Sequence, residues 1–224
     1  MTRGVLIFAH NNEGIDYVKL ACATALMIRK NMSVDGITLV TDDTSLNYSL
    51  TDHESIAKYF FDEIVQYSNQ NFTKKTYRDH IKSDKVLTFY NGDRCQSWDI
   101  TNYDENIVID ADYLIQSDIL NNCWGSEESF MANKHITTIN TLFPMQQPRI
   151  NSQGIEQFWA TAIYFKKDQE AKLIFDAWKM VKENHPYYKS LYDIPGKTFR
   201  NDFALSVALH LSLIHISEPT RLAS

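Results

Sequence analysis

Short apolar runs alternate with amphipathic segments along the first third of the chain. The short apolar runs at 4–9 and 36–40 predict two strands, and residues 63–67 predict a third. Between the first two runs, apolar residues recur at helical spacing and predict a helix carrying Val18, Cys22, Ala25 and Leu26. A capping box of Thr51 and Glu54 predicts a short helix before the third strand. This order of elements indicates an α/β fold with a mainly parallel sheet flanked by helices.

The second half of the chain continues this pattern after an irregular interval. Residues 69–100 are polar and aromatic without a clear period, so helix fragments and loops are expected there. Residues 130–139, strand-like in their later part, and residues 158–165 predict two more strands. Residues 168–182 form a good amphipathic helix pattern, and a last helix is predicted to open at Asn201.

Candidate chemistry is concentrated where the apolar run 106–109 ends in Asp110 and Asp112. Side chains alternate along a strand, so both carboxylates are predicted to point the same way while Ala111 points away. Two such carboxylates repel unless a cation lies between them, and hard oxygen ligands suit Mg²⁺ or Mn²⁺. In open α/β sheets, ligands bind at the carboxyl ends of strands. The alternative interpretation is a polar turn that follows a core strand.

Composition limits the classes of function. The chain has 224 residues, of which 44% are hydrophobic, enough for one domain with a sizeable core. The net charge of −6 offers no basic surface for nucleic acid or an anionic membrane. There is no signal-peptide pattern and no apolar run long enough to span a membrane, so we expect a cytoplasmic protein. Cys22, Cys95 and Cys123 form neither a disulfide framework nor a zinc pattern.

The C-terminal residues are expected to be foreign to the domain. Residues 211–221 resemble the translation of a transposase adapter used in DNA library preparation. We therefore expect a single domain over 1–210, truncated at its C-terminus, followed by a foreign tail over 211–224. The apolar residues of this tail can extend the preceding helix until Pro219 stops it.

Residues 98–112, Trp-Asp-Ile-Thr-Asn-Tyr-Asp-Glu-Asn-Ile-Val-Ile-Asp-Ala-Asp, resemble the signature segment of GT-A-type glycosyltransferases. The resemblance is closest to glycogenin-like enzymes and to phage or bacterial members. In that family an aromatic-acid-apolar-Thr stretch and a Tyr-Asp pair precede the strand that delivers the metal-binding Asp-x-Asp. The Asn-containing loop after the first strand, residues 39–42 and residues 201–202 also correspond. The resemblance implies a GT-A, Rossmann-like fold and sugar transfer from a UDP- or GDP-sugar to an unknown glycan or other acceptor.

The resemblance also implies roles for particular residues. Asp110 and Asp112 would hold Mn²⁺ or Mg²⁺ at the donor diphosphate, with Ala111 between them. The residues implied beside the nucleotide or its diphosphate are Ala9, Asn11, Asn12, Tyr17, Asp42 and Arg94. Asp202 would lie near the transferred or the acceptor sugar, as the candidate catalytic residue.

Three of these residues also have purely structural interpretations. Asp42 could be a turn acid, and Arg94 could be a surface arginine. Asp202 could be a carboxylate in the first turn of a helix, where the helix dipole favours it.

Two departures from the family's pattern are evident. Family members often carry Asn and Gly where this chain has Ala-Thr-Ala at 160–162, so the side chains of the family's sugar contacts are missing there. The C-terminal histidine context of the third metal ligand is missing, and neither His210 nor His215 is assigned to it.

Other classes of function remain open. A catalytically inactive GT-A-like protein would bind nucleotide or glycan without turnover. A sugar-nucleotide pyrophosphorylase is a weaker alternative, because the first strand lacks a Gly-rich, Arg-containing loop. A haloacid-type phosphatase would carry its Asp-x-Asp on the first strand, whereas here the motif comes much later.

Overall fold

The computed structural model describes residues 1–47, 56–67, 73–79, 83–90, 92–134, 149–150, 154–195 and 199–217, and only the backbone of 73–79, 83–87 and 213–217. The strands are β1 Arg3–Phe8, β2 Gly36–Thr41, β3 Glu63–Gln66, β4 Thr73–Asp79, β5 Ser83–Phe89, β6 Glu105–Asp110, β7 Phe130–Asn133 and β8 Trp159–Lys166. The helices are α1 Tyr17–Asn31, α2 Asp43–Leu46, α3 Ser97–Ile100, α4 Gln169–Glu183, α5 His185–Leu191 and α6 Asn201–Ser217. Short 3₁₀ helices span Arg94–Gln96 and Ile119–Cys123.

Six strands form one sheet in the order β3-β2-β1-β6-β8-β7. The first four are parallel, whereas β8 runs antiparallel to both β6 and β7. The register pairs Phe8 with both Val40 and Asp110, so β1, β2 and β6 end at the same edge of the sheet. Both the mainly parallel α/β fold and the placement of Asp42 and Asp110 at one edge are therefore confirmed.

The sheet buries both faces, as expected for strands covered by helices on either side. On one face, Val5 and Ile7 belong to a buried cluster that also includes residues of α1. On the other face, Leu6 and Phe8 belong to a cluster with residues of α4 and α6, including Trp178. Alternate residues of one strand thus enter opposite layers of the core. Leu26, predicted on the apolar face of α1, is instead exposed.

Side-chain caps fix the N-terminal ends of the helices α1 and α4 that cover the sheet. Asp16 accepts a hydrogen bond from the Lys19 amide at 3.0 Å and opens α1. Asp168 accepts one from the Ala171 amide at 2.9 Å and opens α4. These carboxylates satisfy amides that the first helical turn leaves without partners.

The antiparallel hairpin β4–β5 corrects the expectation of helix fragments and loops over 69–100 for residues 73–89, whereas the short helices over 94–100 confirm it for the end of that interval. Its ladder runs from the pair Thr73 and Phe89 to the pair Asp79 and Ser83. Its two strands are neighbours in the chain and, within the described residues, pair only with each other. Such a hairpin does not need the alternation of apolar and polar residues that a half-buried strand of a larger sheet shows.

Some predicted elements extend beyond the described residues. The capping box of Thr51 and Glu54 lies outside them. So does the later part of 130–139, where the strand character was predicted, while β7 covers only the beginning of that segment. Helix α6 continues past residue 210 to Ser217, as the apolar tail predicts, while Pro219 lies outside the described part. The domain boundary at 210 stays a prediction. Among the helices described, none has the length and apolarity that a membrane span requires.

Candidate active site

A pocket of about 150 Å³ opens at the carboxyl edge of the parallel strands. Its lining combines two acidic residues, one arginine and several rings, namely Phe8, His10, Tyr17, Phe89, Tyr90, Arg94, Asp110, Ala111 and Asp112. Half of the predicted site residues therefore converge here: Tyr17, Arg94, Asp110, Ala111 and Asp112. The other half, namely Ala9, Asn11, Asn12, Asp42 and Asp202, lie outside the lining.

The two aspartates reach the pocket by a different route from the one predicted. Strand β6 ends at Asp110, and Asp112 lies in a turn closed by the Tyr113 amide, which donates to the Asp110 carbonyl at 3.0 Å. Strand alternation therefore does not explain why both carboxylates line one pocket. The turn is held from α1, where the Thr24 hydroxyl donates to the Ala111 carbonyl at 2.8 Å. Asp110 is mostly buried, whereas Asp112 is exposed.

Arg94 lies inside the site and is not a surface arginine. Its Nη2 forms an ion pair with Oδ1 of Asp110, and the side chains of the two residues are 14% and 19% exposed. Its Nη1 donates to the Ala160 carbonyl at 2.8 Å. The Ser97 hydroxyl donates to the Arg94 carbonyl at 2.6 Å and helps to hold the 3₁₀ helix from which the arginine projects.

The electrostatics of the pocket favour a cation. Burial, helped by the charges of Asp112 and Asp202, raises the pKa of Asp110 to about 6 against the opposing effect of Arg94. A raised carboxyl pKa means that the surroundings disfavour the ionised form. The charge of a single guanidinium therefore does not offset the burial and the acidic neighbours of Asp110.

Asp202 lies in the first turn of α6 and is held by the protein on both oxygens. Its Oδ1 accepts from the Ala160 amide at 3.0 Å, and its Oδ2 accepts from Nη2 of Arg200 at 2.8 Å. The Ala160 peptide is thus held by Asp202 on its N–H and by Arg94 on its carbonyl. Asp202 shapes the start of β8 beside the pocket but does not line it.

The predicted residues of the β1–α1 loop make local contacts. Ala9 is fully buried in the core, and its amide donates to the Val40 carbonyl at 2.9 Å. Oδ1 of Asn11 accepts from the Val18 amide at 3.0 Å. Oδ1 of Asn12 accepts from two amides of its own turn, at 2.8 and 2.9 Å. These side chains form the loop that carries Tyr17 into the pocket.

Asp42 is an N-cap in this structure. Its Oδ1 accepts from the Ser45 amide at 2.7 Å and opens α2. The Ser45 hydroxyl in turn accepts from the Asn11 amide at 2.7 Å. A helix cap is therefore the observed role of this acid, and it ties the end of β2 to the β1–α1 loop.

Sequence reasoning did not name four rings of the pocket, those of Phe8, His10, Phe89 and Tyr90. His10 is buried, and its Nε2 lies 3.1 Å from the Tyr67 carbonyl, so this nitrogen carries the proton. Phe89 and Tyr90 lie at the end of β5, which is tied to the β1–α1 loop where Glu13 accepts a hydrogen bond from the Thr88 hydroxyl at 3.0 Å. His10 could have been found from its place between the predicted site residues Ala9 and Asn11. Phe89 and Tyr90 could not, because the hairpin that carries them to the pocket was not predicted.

A divalent metal would find two carboxylate ligands in this pocket. Within the part of the chain that the structure describes, no group of three or more His, Cys, Asp or Glu side chains could hold a metal ion. The pair Asp110 and Asp112 fits Mg²⁺ or Mn²⁺, which proteins commonly bind through one or two carboxylates with substrate phosphates completing the shell. His210 packs against Tyr192 with ring centroids 5.9 Å apart and does not line the pocket, and the side chain of His215 lies outside the described residues.

Comparison with known proteins bears on the fold. No protein-family profile and no curated protein sequence matches the chain. Among solved structures, it is similar to the glycosyltransferase GlyE of Streptococcus pneumoniae TIGR4, with 10% identity and a TM-score of 0.50 over 92% of this chain. It is also similar to the galactosyltransferase LgtC in complex with donor and acceptor sugar analogs, with 11% identity and a TM-score of 0.50 over 92% of this chain.

These similarities concern architecture. The chain spans 43% of the length of GlyE and 70% of the length of LgtC. Together with the six-stranded, mainly parallel sheet, they show that the fold is the Rossmann-like GT-A fold of glycosyltransferases. The GT-A expectation is therefore confirmed for the fold, while the glycogenin-like subtype and the adapter origin of 211–221 stay predictions.

Proposed function

We propose that this chain transfers a sugar from a UDP- or GDP-sugar to a glycan or other acceptor, with Mn²⁺ or Mg²⁺ held by Asp110 and Asp112. One observation carries the proposal: two carboxylates, a guanidinium and the ring of Tyr17 surround one pocket at the carboxyl edge of a GT-A-type sheet. The similar solved structures are glycosyltransferases, and LgtC was solved with donor and acceptor sugar analogs.

The residues of the pocket match the demands of this reaction. A departing nucleoside diphosphate develops negative charge, and a metal bound at Asp110 and Asp112 would supply Lewis-acid stabilisation. Arg94 offers a second positive group beside the same site. The rings of Tyr17 and Tyr90 provide flat surfaces for a nucleobase. Asp202, held on the Ala160 amide, is assigned to the region of the transferred sugar.

A binding protein without turnover is the second candidate. Its support is the state of Asp202, whose two carboxylate oxygens both accept hydrogen bonds from the protein, from Ala160 and Arg200. A carboxylate tied in this way contributes shape more readily than proton transfer. On this alternative the pocket would bind nucleotide or glycan and release it unchanged.

The test measures release of UDP or GDP from a panel of nucleotide sugars, with and without acceptor sugars. We expect release to require Mn²⁺ or Mg²⁺ and Asp112→Asn to lower its rate by about a hundredfold or more, because the change deletes charge and not volume. Asp118→Asn is the matched control, since Asp118 is exposed and makes no side-chain hydrogen bond at its cap. Undiminished release in EDTA would contradict the metal role. Tight UDP binding with no release from any donor would favour the binding protein.

A further inference from the structure

We propose that Arg94 is an internal counter-ion for the metal ligand Asp110, which it must leave before the metal and the donor diphosphate bind together. Arg94 is thus a positioning residue that acts through Asp110 and couples the binding of metal to that of nucleotide. The inference rests on the proposed function, since it takes Asp110 and Asp112 as the metal ligands.

The position of the guanidinium carries the argument. Nη2 of Arg94 pairs with Oδ1 of Asp110, and both residues line the pocket together with Asp112. A divalent cation bound to the same carboxylate would lie within a few ångströms of the guanidinium, inside a pocket of about 150 Å³. Two cations at that separation repel strongly, and more so where protein excludes water. The guanidinium and the metal therefore compete for Asp110.

Two described contacts hold the guanidinium of Arg94, and a diphosphate can replace the charged one. The contacts of Arg94 in the described residues are the ion pair with Asp110 and the hydrogen bond from Nη1 to the Ala160 carbonyl, and its Nε has no partner there. A diphosphate accepts from a guanidinium through paired oxygens, a geometry at least as favourable as one carboxylate contact. Moving Arg94 from Asp110 to a phosphate exchanges one charged partner for another and frees Oδ1 for the metal.

This arrangement predicts a particular sign for the effect of removing the charge. If Arg94 only supported the pocket, its loss would weaken metal binding. If it competes for Asp110, its loss strengthens metal binding in the nucleotide-free protein. Because binding free energies are linked reciprocally, the same change reduces the factor by which UDP improves metal affinity.

The experiment titrates the full chain with Mn²⁺ alone, by calorimetry and by the electron paramagnetic resonance of free Mn²⁺, and then repeats the titration with saturating UDP. We expect Arg94→Gln to lower the Kd for Mn²⁺ without nucleotide by about tenfold, within the usual range of coupling between sites. The ratio of the Kd values without and with UDP should fall in this variant. Arg29→Gln is the control, since Arg29 pairs with Asp62 on the surface at 2.6 Å.

A second variant covers the case in which Arg94→Gln does not fold. Arg94→Lys keeps the charge but has a shorter stem and one compact donor group, so it loses the hold on Ala160 and pairs less well with Asp110. It should bind Mn²⁺ more tightly than the wild type, by less than the Gln variant. Unchanged or weaker Mn²⁺ binding in whichever variant folds would overturn the inference.

The failure of this inference can be told apart from that of the proposed function. If Asp112→Asn abolishes Mn²⁺ binding and the Arg94 variants bind no more tightly, the counter-ion role is wrong and the metal site stands. If Mn²⁺ does not bind to the wild type, or binds equally after Asp112→Asn, both the metal site and the counter-ion role are wrong.

Discussion

The two ends of strand β6 each carry a carboxylate, and the protein treats them in opposite ways. Glu105 opens the strand and is 1% exposed. It accepts hydrogen bonds from the Gly125 amide at 2.6 Å, from the Tyr164 hydroxyl at 2.7 Å and from Nε of Arg3 at 3.2 Å. Burial alone would raise the pKa of Glu105, but these three donors outweigh it and the pKa is lowered.

Asp110 closes the same strand, six residues long, with the opposite outcome. Burial, Asp112 and Asp202 raise its pKa to about 6, and Arg94 opposes them alone. A buried carboxylate that accepts several hydrogen bonds stabilises the fold in its ionised form. A buried carboxylate with few donors is more stable when a cation binds to it. The difference indicates a structural role for the carboxylate at the amino end of β6 and supports the proposed metal site at the carboxyl end.

The largest expected effect is a difference in catalytic activity between substitutions at the carboxyl end and at the amino end of β6. Asp110→Asn should lower the rate of nucleotide release by about a hundred- to a thousandfold, equivalent to about 3–4 kcal/mol, because it removes a proposed metal ligand. Glu105→Gln should leave kcat of the folded protein unchanged. Steady-state kinetics on both variants, normalised to the folded fraction by circular dichroism, measure the contrast. Equal losses in the two variants would remove the distinction between the ends.

The next effect is the pH dependence of the metal-free protein. Between pH 4 and 6 the folded protein holds a proton on Asp110 that the unfolded chain has released, so the contribution of Asp110 to stability falls as the pH rises. Above pH 6 the loss is complete, on the order of 3 kcal/mol for a pKa raised from 3.8 to about 6. Asp110→Asn should therefore gain stability relative to the wild type across this window.

Urea unfolding in EDTA at several pH values measures this difference. Glu105 supplies the opposite sign, since its lowered pKa gives stability that is lost as the pH falls below its ordinary range. A stability difference between Asp110→Asn and the wild type that does not change with pH would contradict the raised pKa of Asp110.

The sequence predicts those elements of the fold that hydrophobic periodicity marks along the chain. The strands β1, β2, β3, β6 and β8 and the helices α1 and α4 lie where hydrophobic periodicity predicts them, because each buries an apolar face in the common core. The hairpin β4–β5 was missed, and so was the short helix α5. The hairpin forms a separate sheet, and a helix of seven residues without a fully buried side chain carries too little period to detect.

The site was predictable in part for the same reason. Asp110 and Asp112 follow directly from a core strand, and the edge of the sheet brings them to one pocket. The ion pair of Arg94 with Asp110 depends on a 3₁₀ helix 16 positions earlier, whose direction no local pattern specifies. The capping role of Asp42 depends on α2, which has only four residues. Contacts between elements are decided by packing, which the sequence encodes only indirectly.

A third prediction tests the structural end of β6. Glu105→Gln should lower the free energy of unfolding by about 2 kcal/mol at neutral pH, because the buried donors lose a charged acceptor and Arg3 faces an amide. Chemical denaturation measures the change, and Glu128→Gln is the control, since Glu128 is exposed. Stability equal to the wild type would show that the donors around Glu105 are satisfied without its charge.

The smallest effect should come from the outermost of these donors. Arg3 is 38% exposed, so water and salt screen its pair with Glu105. Arg3→Met retains an apolar stem of similar length beside Trp124, over whose ring the guanidinium lies at 5.8 Å. The free energy of unfolding should fall by less than about 1 kcal/mol, and the loss should shrink further in 1 M salt. A loss of stability as large as that of Glu105→Gln would mean that the ion pair with Arg3, and not the buried Tyr164 and Gly125 donors, stabilises the Glu105 carboxylate. The amino end of β6 would then resemble the carboxyl end, because each carboxylate would depend on one arginine.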